Sequence, residues 1–153
     1  MSAAGRLRGR LGRLVGKLTR RGGASAPAPE PGGLVVEYSP SLDGDADPGE
    51  IVWTWVPYED DPSQGKDRPV VVIGRRGARL VAVPLTSKHH DNEAQVPVGT
   101  GSWDREGRPS YAKVARLLDV DAREVRREGA ILDRRTFDAV VAGARRAHGG
   151  VLR

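Results

Sequence analysis

Two short segments carry residue types that can handle a phosphodiester. Ser63-Gln64-Gly65-Lys66-Asp67-Arg68-Pro69 leads into the apolar run Val70–Ile73. Pro84-Leu85-Thr86-Ser87-Lys88-His89-His90 leaves the next apolar run. If the two runs pair as a hairpin, residue 68 and residues 85–87 meet at one end of a sheet. An arginine fork binds two phosphate oxygens at once and stabilises charge that develops on them. A hydroxyl beside it supplies a donor, and Lys66 and Lys88 add positive charge. On spacing alone a second arrangement stays open, in which Arg68 pairs with Asp67 or the acidic segment before it and Thr86 merely ends a strand. Residues 62–88 carry six basic and one acidic side chain, and residues 36–61 carry eight acidic and no basic ones. A positive site therefore adjoins an acidic flank.

His89 and His90 are the residue type for general acid–base work on RNA. Neighbours on an extended chain point opposite ways, so two solvated histidines in a loop are the favoured reading. Other chemistries are excluded more firmly. With no cysteine, thiolate metal sites, disulfides and cysteine nucleophiles are ruled out. Three histidines are too few for a His-rich metal centre, and no metal or cofactor is expected. No nucleophile elbow, Walker A loop, zinc-binding H-E-x-x-H or dinucleotide fingerprint is present. Asp43, Asp45, Asp47 and Glu50 resemble part of a calcium loop but lack the remaining positions, so they read as a solvated acidic loop.

The elements that must position these residues lie between residues 48 and 150. Glu50–Val56 follows Pro-Gly and is rich in β-branched and aromatic residues, which predicts a strand. A polar loop spans 57–67. Pro69–Gly74 reads as a strand buried on both faces, 75–78 as a turn and Arg79–Leu85 as the returning strand. Further strands are predicted over 94–98 and 111–120, and a short helix over 122–128. Phe137, Val140, Val141 and Ala144 recur at helical spacing, with Asp133 as N-cap and Gly149-Gly150 as stop. The class is α+β: a small antiparallel barrel closed by one C-terminal helix.

The formal charge of +5 is a property of one end of the chain. Residues 1–24 hold seven basic and no acidic side chains, whereas residues 25–153 hold 18 basic and 20 acidic, a net of −2. Leu7, Leu11, Leu14, Val15 and Leu18 form one apolar stripe if the arm is helical, but glycines at 5, 9, 12 and 16 weaken that helix. The arm reads as a solvated accessory that raises non-specific affinity for a polyanion. Residues 25–47, rich in Gly, Ala, Ser and Pro, are expected to be a flexible linker. No stretch approaches the ~20 apolar residues of a membrane span, and a cytoplasmic protein is expected.

Taken in order, Pro48-Gly49-Glu50-Ile51-Val52-Trp53, then Lys66-Asp67-Arg68-Pro69-Val70-Val71-Val72-Ile73, then Val83-Pro84-Leu85-Thr86-Ser87, the chain resembles the PemK/MazF family of toxins. The stretch Val114–Val120, Asp121–Ala130 and the terminal helix resembles that family's last elements. The resemblance covers residues 48–149 and not the arm or linker. It implies an SH3-like, CcdB/MazF-like barrel, a homodimer, and a type II toxin–antitoxin endoribonuclease. Such an enzyme cuts single-stranded RNA at specific sequences without metal, through a 2′,3′-cyclic phosphate. It implies a cognate antitoxin as partner, with DNA bound through the antitoxin complex. The family's catalytic Arg and Thr fall on Arg68 and Thr86, with Gln64, Lys66, Ser87 and Lys88 placed to bind substrate. One departure stands out: where members carry Gly-Ser-Glu, this loop reads Asp-Asp-Pro-Ser-Gln-Gly, leaving Asp60 or Asp61 as the acidic residues at hand. The alternative is a non-catalytic member that binds RNA or a protein target such as DNA gyrase.

Overall fold

The computed structural model describes residues 33–41 and 44–148, without the side chains of 127–129. The basic arm, residues 25–32 and 42–43 of the expected linker (Asp43 among them) and the expected helix stop Gly149-Gly150 lie outside the described residues. Among the described residues, eight strands and one helix follow in order: β1 (Leu34–Val36), β2 (Glu50–Pro57), β3 (Gly65–Arg76), β4 (Arg79–Thr86), β5 (Gln95–Gly99), β6 (Ser110–Lys113), β7 (Leu118–Val120), β8 (Arg127–Ile131) and α1 (Arg134–His148). A single-turn 3₁₀ segment, Ala122–Glu124, sits between β7 and β8.

The sheet runs β5-β6-β4-β3-β2-β8, with β1 added to β3 and β7 to β4. Both long central strands change partner along their length. β3 pairs with β2 through residues 65–71 and with β1 through residues 74–76. β4 pairs with β7 at Leu80–Ala82 and with β6 at Leu85–Thr86. A register shift between Val72 and Gly74 bends the β3–β4 ribbon between these halves. The result is a curled antiparallel half-barrel with one C-terminal helix, the α+β architecture expected from the sequence.

β3 is buried on both faces, as its continuous apolar run predicts. Val71 and Ile73 join Leu34, Ile51, Val81, Val83 and Leu85 on one side, where Phe137, Val140, Val141 and Ala144 of α1 cover them. Val70 and Val72 join Val52, Val56, Leu80, Ala82 and Val120 on the other. Asp133 caps α1 by accepting from the Thr136 amide at 3.0 Å. Gly143 lets that helix come close to the sheet, because a Cβ there would lie 2.7 Å from Val96 Cγ2.

Four local expectations change. Residues 34–36, which composition assigns to a linker, form β1, and Leu34 is wholly buried. The predicted strand over 111–120 is two strands, β6 and β7, broken where the Arg116 amide bonds Lys113 O at 3.1 Å. The break lets the chain move from one half of β4 to the other. The predicted helix over 122–128 is only the 3₁₀ turn. Its continuation becomes β8 because β2 has an edge to fill, with Glu50 facing Ile131. β3 begins at Gly65, so the loop spans residues 58–64 rather than 57–67.

The acidic segment before β2 is not a solvated loop throughout. Glu50 is fully buried and accepts from the amides of Ser41 at 2.7 Å and Asp47 at 3.1 Å. Asp47 in turn bridges Arg75 at 3.2 Å. These carboxylates tie the chain leading to β2 against the sheet.

Two outcomes test this account. Leu34→Ala should destabilise the protein by about 2–5 kcal/mol in urea denaturation, and truncation through residue 40 should do more, because β1 goes with it. Asp121 accepts from the Arg123 side chain and amide, which lower its carboxyl pKa to about 2. The unfolded chain then binds more protons than the native one as pH falls through this range. The stabilising effect of Asp121 should be complete above about pH 4, shrink toward about pH 2 and vanish below it. Denaturation of wild type and Asp121→Ala should accordingly converge below about pH 2.

Candidate functional site

The hairpin register carries Arg68 to the place the sequence requires. Val70 faces Pro84 across β3 and β4, and the same register extended by two residues sets Arg68 beside Thr86. On its other flank Arg68 faces Thr54 of β2, and Thr86 faces Tyr111 of β6. Thr54, Arg68, Thr86 and Tyr111 thus make one row across four strands. The row lies on the face of the sheet opposite α1, at the strand ends.

The half-buried Arg68 donates from Nη1 to Leu85 O at 3.3 Å. Asp67 does not hold it, since that carboxylate pairs with Arg126 Nε at 3.2 Å. Burial pushes the Arg68 guanidinium below its usual range, and nearby Arg116 adds to this, with Tyr58 and Glu59 opposing. Arginine nevertheless stays protonated in proteins, so this is a desolvated fixed cation. Thr86 Oγ1 accepts from the Lys88 amide at 3.1 Å. A hydroxyl has one proton and two lone pairs, so Thr86 keeps its proton for an incoming oxygen.

Beside Arg68 lies a cavity of about 370 Å³ lined by Tyr58, Glu59, Asp60, Arg68, Pro84, Lys113 and Arg116. Arg116 is anchored by a hydrogen bond from Nη2 to Pro57 O, and Lys113 Nζ approaches Glu59 Oε1 at 3.9 Å. Lys66, two residues before Arg68 on β3, is exposed. Its ammonium pKa is lowered, first by the charge of Arg68, then by burial, Lys88 and Arg108. Arg68 and Lys88 thus crowd Lys66 with like charge, and Arg108 adds a smaller share although it is paired with Asp104 at 2.9 Å and Glu106 at 3.6 Å. An anion among them would relieve that repulsion.

The other expected binding residues divide. Ser87 and Lys88 are exposed directly after Thr86, at the end of β4. Gln64 is exposed too, but its side chain donates to Asp61 Oδ2 at 2.8 Å. Asp61 also accepts from the Ser63 hydroxyl at 2.6 Å and amide at 3.2 Å, bonds that lower its carboxyl pKa. Of the two candidate acidic substitutes, Asp61 is thus spent on the loop's own shape. Asp60, with Glu59, lines the cavity. Tyr58, Lys113 and Arg116 were not among the sequence candidates. The charge pattern of 111–120 was visible, but read as one strand it placed Arg116 on a ladder rather than at the turn.

His89 and His90 separate in the fold. The His89 ring stacks on Tyr111 with centroids 4.8 Å apart and planes at 27°. The His90 amide donates to Gln95 Oε1 at 3.1 Å. Among the described residues no cluster of three His, Asp or Glu side chains is arranged to hold a metal.

The model of the PemK-like, MazF-like toxins of type II toxin–antitoxin systems matches residues 47–147. The chain belongs to this toxin family. Solved structures agree on the fold. MazF from Deinococcus radiodurans is similar at 19% identity and a TM-score of 0.56, over 70% of this chain and 99% of that one. An endoribonuclease bound to its cognate antitoxin, from a mycobacterial species, aligns at 15% identity and a TM-score of 0.54, over 68% of this chain and 95% of that one. Mycobacterium tuberculosis toxin MazF-mt6 aligns at 18% identity and a TM-score of 0.50, over 65% and 95%. No curated protein matches in sequence. Within the family match, Arg68 and Thr86 stand on adjacent strands of the toxin barrel. Among the described residues no helix is long and apolar enough to cross a membrane.

If the cations around Arg68 and Lys66 form an anion site, a polyanion should stabilise the fold. A short single-stranded oligonucleotide at about 100 times its Kd should add about 2.7 kcal/mol to the unfolding free energy. The gain should shrink in Lys66→Met and in high salt. A melting curve indifferent to the oligonucleotide would contradict the electrostatic reading.

Proposed function

We propose that this chain is an endoribonuclease toxin that cleaves single-stranded RNA, with Arg68 and Thr86 at the reacting phosphate. The observation that supports it most is their juxtaposition: a desolvated arginine beside a hydroxyl whose proton is free to donate, on the rim of a cationic cavity. The family match and the fold of the endoribonuclease from a mycobacterial species add to it.

In this reading the substrate's 2′-oxygen bonds to the adjacent phosphorus while the P–O5′ bond breaks. The products are a 2′,3′-cyclic phosphate and a 5′-hydroxyl. The 2′-hydroxyl gives up its proton, O5′ gains one, and nothing is oxidised or reduced. Negative charge builds on the equatorial oxygens of the phosphorane. Arg68 neutralises it through a fixed guanidinium already aligned by Leu85 O, and Thr86 donates to one of the same oxygens. A protonated arginine is a poor general base, so its part is electrostatic. Lys66, Lys88 and Ser87 hold the neighbouring phosphates, and Gln64 with the 58–64 loop shapes base selection. A second copy of the chain completes a homodimer. A cognate antitoxin with an acidic segment would cover the same cations, as the antitoxin-bound relatives suggest.

The test is cleavage of single-stranded RNA in EDTA with sequencing of the new 5′ ends, together with growth after induced expression. Wild type should cut at a short recurring sequence, leave 5′-hydroxyl ends and arrest growth. Thr86→Val should lower kcat by about 10²–10³, and Arg68→Ala by at least as much. Full cleavage by Arg68→Ala would remove that residue from the mechanism. Capture of DNA gyrase with no RNA cleavage would replace the whole reading with a binding toxin.

A further inference from the structure

The loop between β4 and β5 has more structure than a phosphate contact needs. Gln95, the first residue of β5, accepts from the His90 amide at 3.1 Å and donates to Lys88 O at 3.2 Å. The Glu93 amide donates to His90 O at 3.2 Å. At the loop's other end, Thr86 Oγ1 accepts from the Lys88 amide. These bonds bracket one residue, His89, whose ring is laid on Tyr111 at 4.8 Å and 27°. Asp91 Oδ1 stands 3.7 Å from its Nδ1 edge.

The His89 side chain remains 53% exposed. One face of the ring rests on Tyr111, which leaves the outer face as a flat, prepositioned aromatic surface. Tyr111 is the cross-strand partner of Thr86. The platform therefore stands one strand from the hydroxyl proposed to hold the phosphate. Lys66 and Lys88 supply positive charge around the same end of the sheet, whereas Arg108 beyond them is paired with Asp104 and Glu106. An aromatic face beside a track of cations is the arrangement that binds an unpaired base next to its phosphate.

We propose that His89, held flat by Tyr111, is the stacking platform for a nucleobase adjoining the phosphate at Arg68 and Thr86. This rests on the proposal that the toxin acts on single-stranded RNA. His89 contributes a π-face and not a proton, and Gln95 is the positioning residue that keeps the loop in place. Stacking is tolerant of base identity, so the site strengthens binding of the strand more than it selects a letter.

Binding of mixed-sequence 2′-O-methyl single-stranded oligonucleotides, which offer bases and phosphates but no attacking hydroxyl, tests this by fluorescence anisotropy. Cleavage of unmodified RNA is followed in parallel. His89→Ala should weaken binding roughly 10-fold, since stacking on one base is lost. It should raise KM by a similar factor and leave kcat within about twofold. His89→Phe, which keeps the ring and has no titratable proton, should restore both. Unchanged binding in His89→Ala, or failure of His89→Phe to rescue, overturns the platform. If wild type binds the oligonucleotide yet cuts no RNA, the nuclease reading fails while the platform stands or falls on the binding series. If wild type binds no single strand, both are overturned.

Discussion

The burial of β3 on both of its faces is the constraint on which the rest depends. Val71 and Ile73 face the helix-covered core, and Val70 and Val72 face the opposite cluster. A slip of one residue would carry each set to the wrong side and would also expose the bend at Gly74. The register with β2 and β4 is therefore held tightly. Because that register is held, Arg68 is held, beside Thr54 on one flank and Thr86 on the other. The functional row is a continuation of the core ladder beyond the point where apolar side chains stop. Its precision comes from the packing of Val70 and Pro84, not from contacts within the row itself.

The same strand end concentrates positive charge that the fold neutralises only in part, since Glu59 faces Lys113 and Arg108 is paired with Asp104 and Glu106. Arg68 is desolvated and sits near Arg116, and Lys66 is crowded by Arg68, Lys88 and Arg108. Acidic partners nearby go to other tasks. Asp67 holds Arg126, Asp61 shapes its own loop and Asp47 ties Arg75 to the segment before β2. Of the acidic residues, Glu59 and Asp60 line the cavity beside Arg68. A cluster arranged this way is destabilising when empty and favours an anionic occupant, be it a strand of RNA or the acidic segment of a partner. The chain's overall charge of +5 says little about this. All of that excess belongs to residues 1–24, and the site's positivity is local.

How far the sequence could be read depended on whether a pattern was local. The β2, β3 and β4 strands and α1 each carry their own periodicity or apolar run, and all four lie close to where the pattern puts them. β1 and β8 carry little. Leu34–Val36 is three residues beside a Gly/Pro-rich stretch, and it becomes a strand only because the second half of β3 has a free edge. Arg127–Ile131 includes Glu128 and Gly129, poor strand formers, and the open edge of β2 recruits it. The break between β6 and β7 was hidden for a related reason. The alternation over 111–120 fits one strand, and the need to change partners along β4 splits it.

The candidate site divides in the same way. That Arg68 and Thr86 would share a sheet end follows from the sequence, because a short turn between two apolar runs allows one hairpin register. The row they belong to, and the cavity beside it, could not be read there. Tyr58, Lys113 and Arg116 reach Arg68 from segments with no sequence spacing to mark them. The two histidines show the difference most plainly. Adjacent in the chain, they are equivalent to any reading of residue types. Only the antiparallel pairing that sets Tyr111 against Thr86 gives one of them a ring to rest on. Residue chemistry and local periodicity were determined by the sequence alone. Which groups meet across strands was decided by the closing of the sheet, because contacts between distant segments depend on register and curl that no single segment encodes.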